Sequence, residues 1–258
     1  MVLARKLDAK LLVRWDLNED CPYRFEELFR CDRVGTYQRP ATQRDVQRLR
    51  PLAVRYQRLN AKPHEVRATF ESKQMAILPF APEFEYLFLE ALQELRPNVS
   101  IAERVRICSR KFRRRTVGVH LRRSEALDYR GLNRENMQAY DSALFDAVLA
   151  QTRLSPPEET AVFLASDSRK YAQEWTRRLR KEGLHVVTAN VTWGKALRET
   201  TGADAVTDML LMARCDLILK SCYSSLMMIA EWLSGKVERN LTPMVLLSEK
   251  QSASALKR

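Results

Sequence analysis

The sequence predicts an α/β protein in two halves, the second built on a parallel sheet with crossover helices and the first incomplete at its start. Three observations carry this reading. From residue 113 onward, short β-rich apolar runs alternate with segments of helical period, the pattern of parallel strands joined by helices. Before residue 113 such segments occur without regular alternation, and residues 40–75 are polar and Arg-rich with weak periodicity. The chain also opens on a helix feeding a strand, so the strand expected ahead of that helix is missing: either the start is truncated or the fold is unusually trimmed. The 258 residues, 45% of them hydrophobic, suffice for one large core or two small ones. The composition shift divides the chain into 1–112 and 113–258.

Taken in order, residues 3–9 read as a helix, 10–15 (KLLVRW) as a strand and 21–29 (CPYRFEELF) as a turn and short helix. Residues 75–84 suggest a strand ending at a Pro-broken turn. Phe84, Leu87, Phe88, Ala91, Leu92 and Leu95 then recur at helical spacing until Arg96-Pro97. Residues 100–112 form a second helix, with Ser100 as the expected cap and Glu103 three residues on. In the second half, strands are expected at 116–121 (TVGVHL), 160–166 (TAVFLAS), 184–189 (LHVVTA), 216–221 (DLILKS) and finally at TPMVLLS, 242–248. Helices are expected from Asn133 to Gln151, over 169–183 with Gly183 as the stop, over 204–215 and over 224–235. The SPPEE stretch at 155–159 breaks the chain between two of these elements.

Charge and cysteine usage narrow the function classes. Lys and Arg total 44 against 32 Asp and Glu, a net charge of +12, which favours anionic partners without choosing among them. No CxxC pair occurs among the five cysteines, and His64, His120 and His185 are widely separated, so neither a disulfide framework nor a metal centre is expected. No apolar run is long enough to span a bilayer, and the first fifteen residues lack a signal-peptide core. The expectation is a soluble, cytoplasmic protein.

Open parallel sheets bind ligands outside the carboxyl ends of their strands, and this sorts the arginines of RRRTVGVHLRR, residues 113–123. Seven strand steps of about 3.3 Å place Arg115 and Arg122 roughly 23 Å apart. Arg122 and Arg123 therefore lie at the ligand end, whereas Arg113, Arg114 and Arg115 lie at the far end, as a solvated face. VFLASDS delivers Ser166, Asp167 and Ser168 to the same end of the sheet, and LILKSCYSS delivers Ser221, Ser224 and Ser225, the last two opening a helix. Free N–H groups and hydroxyls at a helix start suit a phosphate, and an arginine pair opposite could clamp a diphosphate. Simple N-capping is the other account of the serines, and Asp208 could be only a polar residue on an amphipathic helix. GxGxxG, GxxxxGK[ST] and GxSxG are absent, as is any Asp-x-Asp pair to hold a metal against a nucleotide. A diphosphate here would be neutralised by arginine and backbone.

VGVHLRRSE, then VFLASDS, then AVTDMLLMARCDLILKSCYSSLMMIAEWL resembles, in order and spacing, the three motifs of the α1,6-fucosyltransferase superfamily, which includes nodulation and core N-glycan fucosyltransferases. The resemblance covers residues 98–235, and residues 4–29 are similar to the early part of these enzymes without their upstream strand and glycine-rich turn. It implies a GT-B fold of two Rossmann-like domains, an acceptor-side 1–112 and a nucleotide-sugar-binding 113–258. It also implies inverting, metal-independent transfer of fucose from GDP-fucose, a co-substrate, with no further cofactor and no metal. Arg122 matches the family arginine on the donor β-phosphate, Arg123 its motif partner and His120 the histidine beside the nucleotide. Asp208 matches the aspartate that reads guanine, Ser224 with its neighbour Ser225 the serine on the diphosphate, and Asp167 the first acidic residue of the middle motif. The second of those acidic residues is Ser168 here, and SEALDY after the arginines departs from the family's continuation.

Breaking a glycosyl–diphosphate bond builds charge on the leaving phosphate, which Arg122 would stabilise. An inverting displacement also calls for a base near the acceptor hydroxyl. Glu125 and Asp128 are the nearest carboxylates, and each also reads as a solvated loop charge. The acceptor would be a glycan or chito-oligosaccharide. Two other readings remain at this level: a vestigial module that binds a GDP-sugar without turnover, and a nucleic-acid-binding protein motivated by the charge of +12 alone.

Overall fold

A computed structural model describes residues 11–14, 23–32, 34–37, 92–122, 134–193, 200–220 and 224–235. The helix expected over 3–9, the strands over 75–84 and 242–248, and most of the helix over 83–95 lie outside these. The chain divides into two compact units, Met1–Arg96 and Pro97–Arg258.

In the first unit β1 (Leu11–Arg14) and β3 (Val34–Tyr37) pair in parallel, Leu11 opposite Val34 and Arg14 opposite Tyr37. Between them lie the single-turn helix α1 (Phe25–Leu28) and the two-residue strand β2 (Phe29–Arg30). Phe25 and Leu28 are buried, and the Phe25 and Phe29 rings lie 5.7 Å apart. β1 and α1 fall where the apolar runs place them; β3 has no counterpart in the sequence reading.

The short strand β4 (Arg96–Pro97) spans the junction, and the second unit continues with α2 (Val99–Ser109). The composition shift puts this helix in the first half, yet it packs on a helix of the second. Its cap is Asn98, whose Oδ1 accepts from the Ser100 backbone at 3.1 Å, rather than Ser100 itself. Asn is as good an N-cap as Ser, and sitting two residues earlier it captures the free N–H first.

The remainder is β5 (Arg115–Leu121), α3 (Arg134–Thr152), a 3₁₀ turn at Pro157–Glu159, β6 (Thr160–Ser166), α4 (Arg169–Lys181), β7 (His185–Thr188), α5 (Gly202–Met212), β8 (Leu217–Lys220) and α6 (Ser225–Ser234). The strands form one parallel sheet in the order β7-β6-β5-β8, as the strand–helix alternation predicts. Gly183, at φ 77°, ends α4 where the sequence places the stop, and Gly235, at φ 64°, ends α6.

Period-2 alternation decides what each face of the sheet meets. Val117, Val119 and Leu121 of β5, with Val162 and Leu164 of β6 and Leu217 and Leu219 of β8, form one core with Leu144 and Val148 of α3 and Trp175 and Leu179 of α4. Gly118 and His120 face the other way. A Cβ on Gly118 would lie 2.6 Å from Met212 Sδ and 3.0 Å from Cys215 Sγ, so a glycine is what lets the end of α5 approach the sheet.

The upstream arginines are tied into this framework, which corrects the expectation of a solvated face. Arg113 donates to the carbonyl of Pro157 at 2.7 Å, and Arg115 to Gln151 Oε1 at 3.1 Å. Only Arg114, 80% exposed and 3.3 Å from Glu159, is solvated in the expected way. The guanidiniums take up polar groups where the end of α3 and the 3₁₀ turn lead into β6.

Candidate functional site

At the carboxyl ends of the strands, residues from four elements converge on a cavity of about 290 Å³. β5 ends in His120 and Leu121 and delivers Arg122 just beyond; β6 delivers Ser166 and Asp167. α5 supplies Asp208 from one side, and Ser224 lies at the start of α6. His120, Arg122, Asp167, Asp208 and Ser224, residues far apart in sequence, thus line one space. Arg123, Glu125 and Asp128 lie outside the described residues, and Ser225 is the first helical residue of α6.

Ser224 caps a helix and also faces the cavity. Its Oγ accepts from the Met227 backbone N–H at 3.3 Å, which makes it the N-cap of α6, and it also lines the cavity. A capping hydroxyl keeps its own proton to donate. With the free N–H groups of the first turn beside it, this corner suits an anion.

His120 is buried, with Nδ1 unpartnered. Burial pulls its pKa from 6.5 to about 4; Arg122 and Lys220 push the same way, against the charge of Asp167. The ring is therefore neutral near pH 7 and can offer one N–H without adding charge. Lys220, its register partner on β8, forms an ion pair of 2.5 Å with Glu231 of α6. Both members are largely buried, and sequence reasoning missed them; a lysine closing the apolar run LILK was the only local signal.

Asp208 is buried and its Oδ1 has no partner. Burial raises its pKa well above 3.8, the neighbouring Asp204 raises it further, and Arg104 opposes both. A buried carboxyl oxygen left unpaired costs stability unless a ligand completes it. Asp208 and Ser166 also line a second, adjoining cavity of about 720 Å³, walled by Arg177, Arg180 and Lys181 of α4 and by Trp193. None of these wall residues belonged to the sequence-based site.

Asp204 was likewise missed. It is fully buried, at N3 of α5, and closes a capping box with Thr201, which the TGAD stretch at 201–204 does encode. The guanidinium of Arg104, on α2, pairs with it. Among the described residues no group of three His, Cys, Asp or Glu is placed to hold a metal, and no helix is long and apolar enough to cross a membrane.

An anion corner, a neutral imidazole, an arginine and an unpaired acidic oxygen thus meet at the carboxyl end of a parallel sheet, the end at which open α/β sheets bind ligands. No family model and no curated protein matches the sequence. Solved structures match it by fold. NodZ α-1,6-fucosyltransferase soaked with GDP-fucose is 15% identical with a TM-score of 0.53, over 90% of this chain and 84% of that one. Fucosyltransferase NodZ from Bradyrhizobium is 16% identical with a TM-score of 0.50, over 89% and 84%. POFUT1 in complex with GDP-fucose is 15% identical with a TM-score of 0.53, over 93% and 91%. The chain has the fold of these fucosyltransferases, the GT-B-like α/β architecture that its three motifs imply.

Proposed function

We propose that the chain is a glycosyltransferase that binds GDP-fucose in the cavity of His120, Arg122, Asp208 and Ser224 and transfers fucose, with inversion and without a metal, to a glycan or chito-oligosaccharide hydroxyl. The convergence of these four side chains carries the reading, because each offers what a different part of the donor needs. Arg122 and the start of α6 suit the diphosphate, and Arg122 would stabilise the charge that builds on it as the glycosyl bond breaks. Asp208, once ionised, offers two acceptor oxygens to the paired N–H donors of guanine. Neutral His120 can donate a hydrogen bond beside the phosphates. Glu125 and Asp128 are the carboxylates proposed for the acceptor proton.

Calorimetry with GDP tests the donor site. Binding in the micromolar range is expected, weakened at least roughly tenfold in Arg122→Ala, the loss of one charge-assisted contact. A wild-type protein that does not bind GDP sinks the reading. Incubation with GDP-fucose and glycan acceptors then separates transfer from donor binding without turnover. That second reading is favoured by Ser168, which stands where the family motif has an acidic residue and serves as N-cap of α4.

A further inference from the structure

We propose that Arg104 and Asp204 form a positioning pair that sets how Asp208 meets the nucleotide base, so that α2 takes part in base discrimination. The inference rests on the reading of the cavity as a GDP-sugar site, and it goes beyond that reading by naming residues that do not line the smaller cavity.

The geometry is that of a buried hub. Asp204 Oδ1 takes the Arg104 guanidinium, while Oδ2 accepts from Thr201 Oγ1 at 2.6 Å, the Thr201 backbone at 3.1 Å and the Thr192 backbone at 3.3 Å. The same Arg104 Nη2 donates to the Asn190 carbonyl at 2.8 Å. One carboxylate thus fastens α2, the segment after β7 and the first turn of α5 together. Asp208 sits one helical turn further on, on the same face of α5, with a buried oxygen that nothing in the described protein satisfies. Both cavities reach it. The hub fixes the backbone from which Asp208 projects and places one negative and one positive charge beside it.

Those two charges act in opposite directions, which separates a positioning role from a merely structural one. Asp204 disfavours the ionised form of Asp208 and Arg104 favours it. The other charged or titratable groups around Asp208 are Cys108 on α2, His120, Arg122 and Asp167 across the smaller cavity, and Arg177, Arg180 and Lys181 across the larger. None of the variants below changes any of them. Guanine, with two N–H donors, needs the ionised carboxylate, so GDP affinity should rise with pH up to the apparent pKa of Asp208.

The test is calorimetric GDP binding from pH 5 to 9 in the wild type, Asp204→Asn and Arg104→Met, with Arg104→Lys as the charge-retaining control. Asp204→Asn is expected to move the midpoint of the pH profile down, and Arg104→Met to move it up. At a pH below both variants' midpoints they then differ in GDP affinity by about tenfold per unit of separation between those midpoints. The titration of GDP's own phosphates is common to all four proteins and cancels in the comparison. Arg104→Lys should stay near the wild type. Both variants break the same ion pair, so shifts in the same direction, or no shift with GDP still bound, would overturn the proposal and leave the functional reading intact. If Asp204→Asn does not fold, the partly exposed Arg104 decides alone: Arg104→Met and Arg104→Lys with identical profiles refute it. A wild type that binds no GDP at any pH removes the functional reading and this inference with it.

Discussion

His120 gives the site a measurable acid weakness. The perturbation is a fall in pH, compared between the wild type and His120→Gln. In the fold, burial first and the nearby Arg122 and Lys220 next hold the imidazole neutral, with a pKa of about 4 against an ordinary 6.5. The unfolded chain therefore binds a proton that the folded one refuses anywhere between those values, and stability rises with pH across that window. The contribution is fully present above pH 6.5 and is lost as pH falls to about 4. A shift from 6.5 to about 4, at about 1.4 kcal/mol per unit, is worth about 3 kcal/mol. That is a large share of the ~5–15 kcal/mol that holds a typical domain together.

The assay is urea denaturation from pH 4 to 8, followed by tryptophan fluorescence, since Trp175 is buried in the core beneath the same sheet. The difference in unfolding free energy between wild type and His120→Gln should shrink by about 3 kcal/mol in favour of the variant on going from pH 7 to pH 4. Almost all of that change should fall below pH 6.5, and Asp167, the one opposing charge, is present in both proteins. Parallel pH profiles for the two proteins would refute the reasoning, because they would mean that the ring titrates alike in the folded and unfolded chains.

Other outcomes follow from single side chains. Asp208 carries a raised pKa, so its ionisation destabilises the fold as pH climbs past its unfolded value; Asp208→Asn should melt higher than wild type at pH 8, by a margin that narrows towards pH 4, while GDP binding falls. Thr201→Ala removes both the cap on Asp204 N–H and the hydroxyl on its carboxylate, and should cost about 1–2 kcal/mol in denaturant titration. Gly118→Ala forces a Cβ against the fully buried Met212 and Cys215, and should cost about 1–3 kcal/mol in the same assay.

The parts of the fold legible in the sequence are those with local cause. β5, β6 and β8 are buried on both faces and so read as continuous apolar runs, and α4 announces its end with Gly183, which the left-handed turn there requires. From strand direction alone it follows that Arg122 and not Arg115 reaches the ligand end. What stayed hidden depends on partners distant in sequence. β3 is four residues, VGTY, whose strand character comes from pairing with β1. Arg104 and Asp204 are 100 residues apart, and neither flanking sequence signals a buried pair. The upstream arginines looked like soluble charge because their acceptors are carbonyls and side chains 36 to 47 residues away, at the end of α3, in the 3₁₀ turn and at the start of β6. A local pattern can place a residue at one end of a strand; only the fold can tell what it meets there.

The close approach at Gly118 links stability to the site. In a strand–helix–strand crossover α5 runs antiparallel to β5. Met212, near the end of α5, sits over Gly118. Four residues back along the helix is a rise of about 6 Å, and two residues forward along the strand is about 6.6 Å. Asp208 is therefore carried to the level of His120, and the two meet in one cavity. The spacing GVH on the strand and DMLLM on the helix is what puts the acidic oxygen beside the imidazole at the carboxyl end. Lifting the end of α5 with a single methyl at Gly118 should then weaken GDP binding although residue 118 touches no ligand, and Gly118→Ser should weaken it further. If the two variants lose stability in that order while GDP affinity stays at the wild-type value, the position of Asp208 does not depend on this contact.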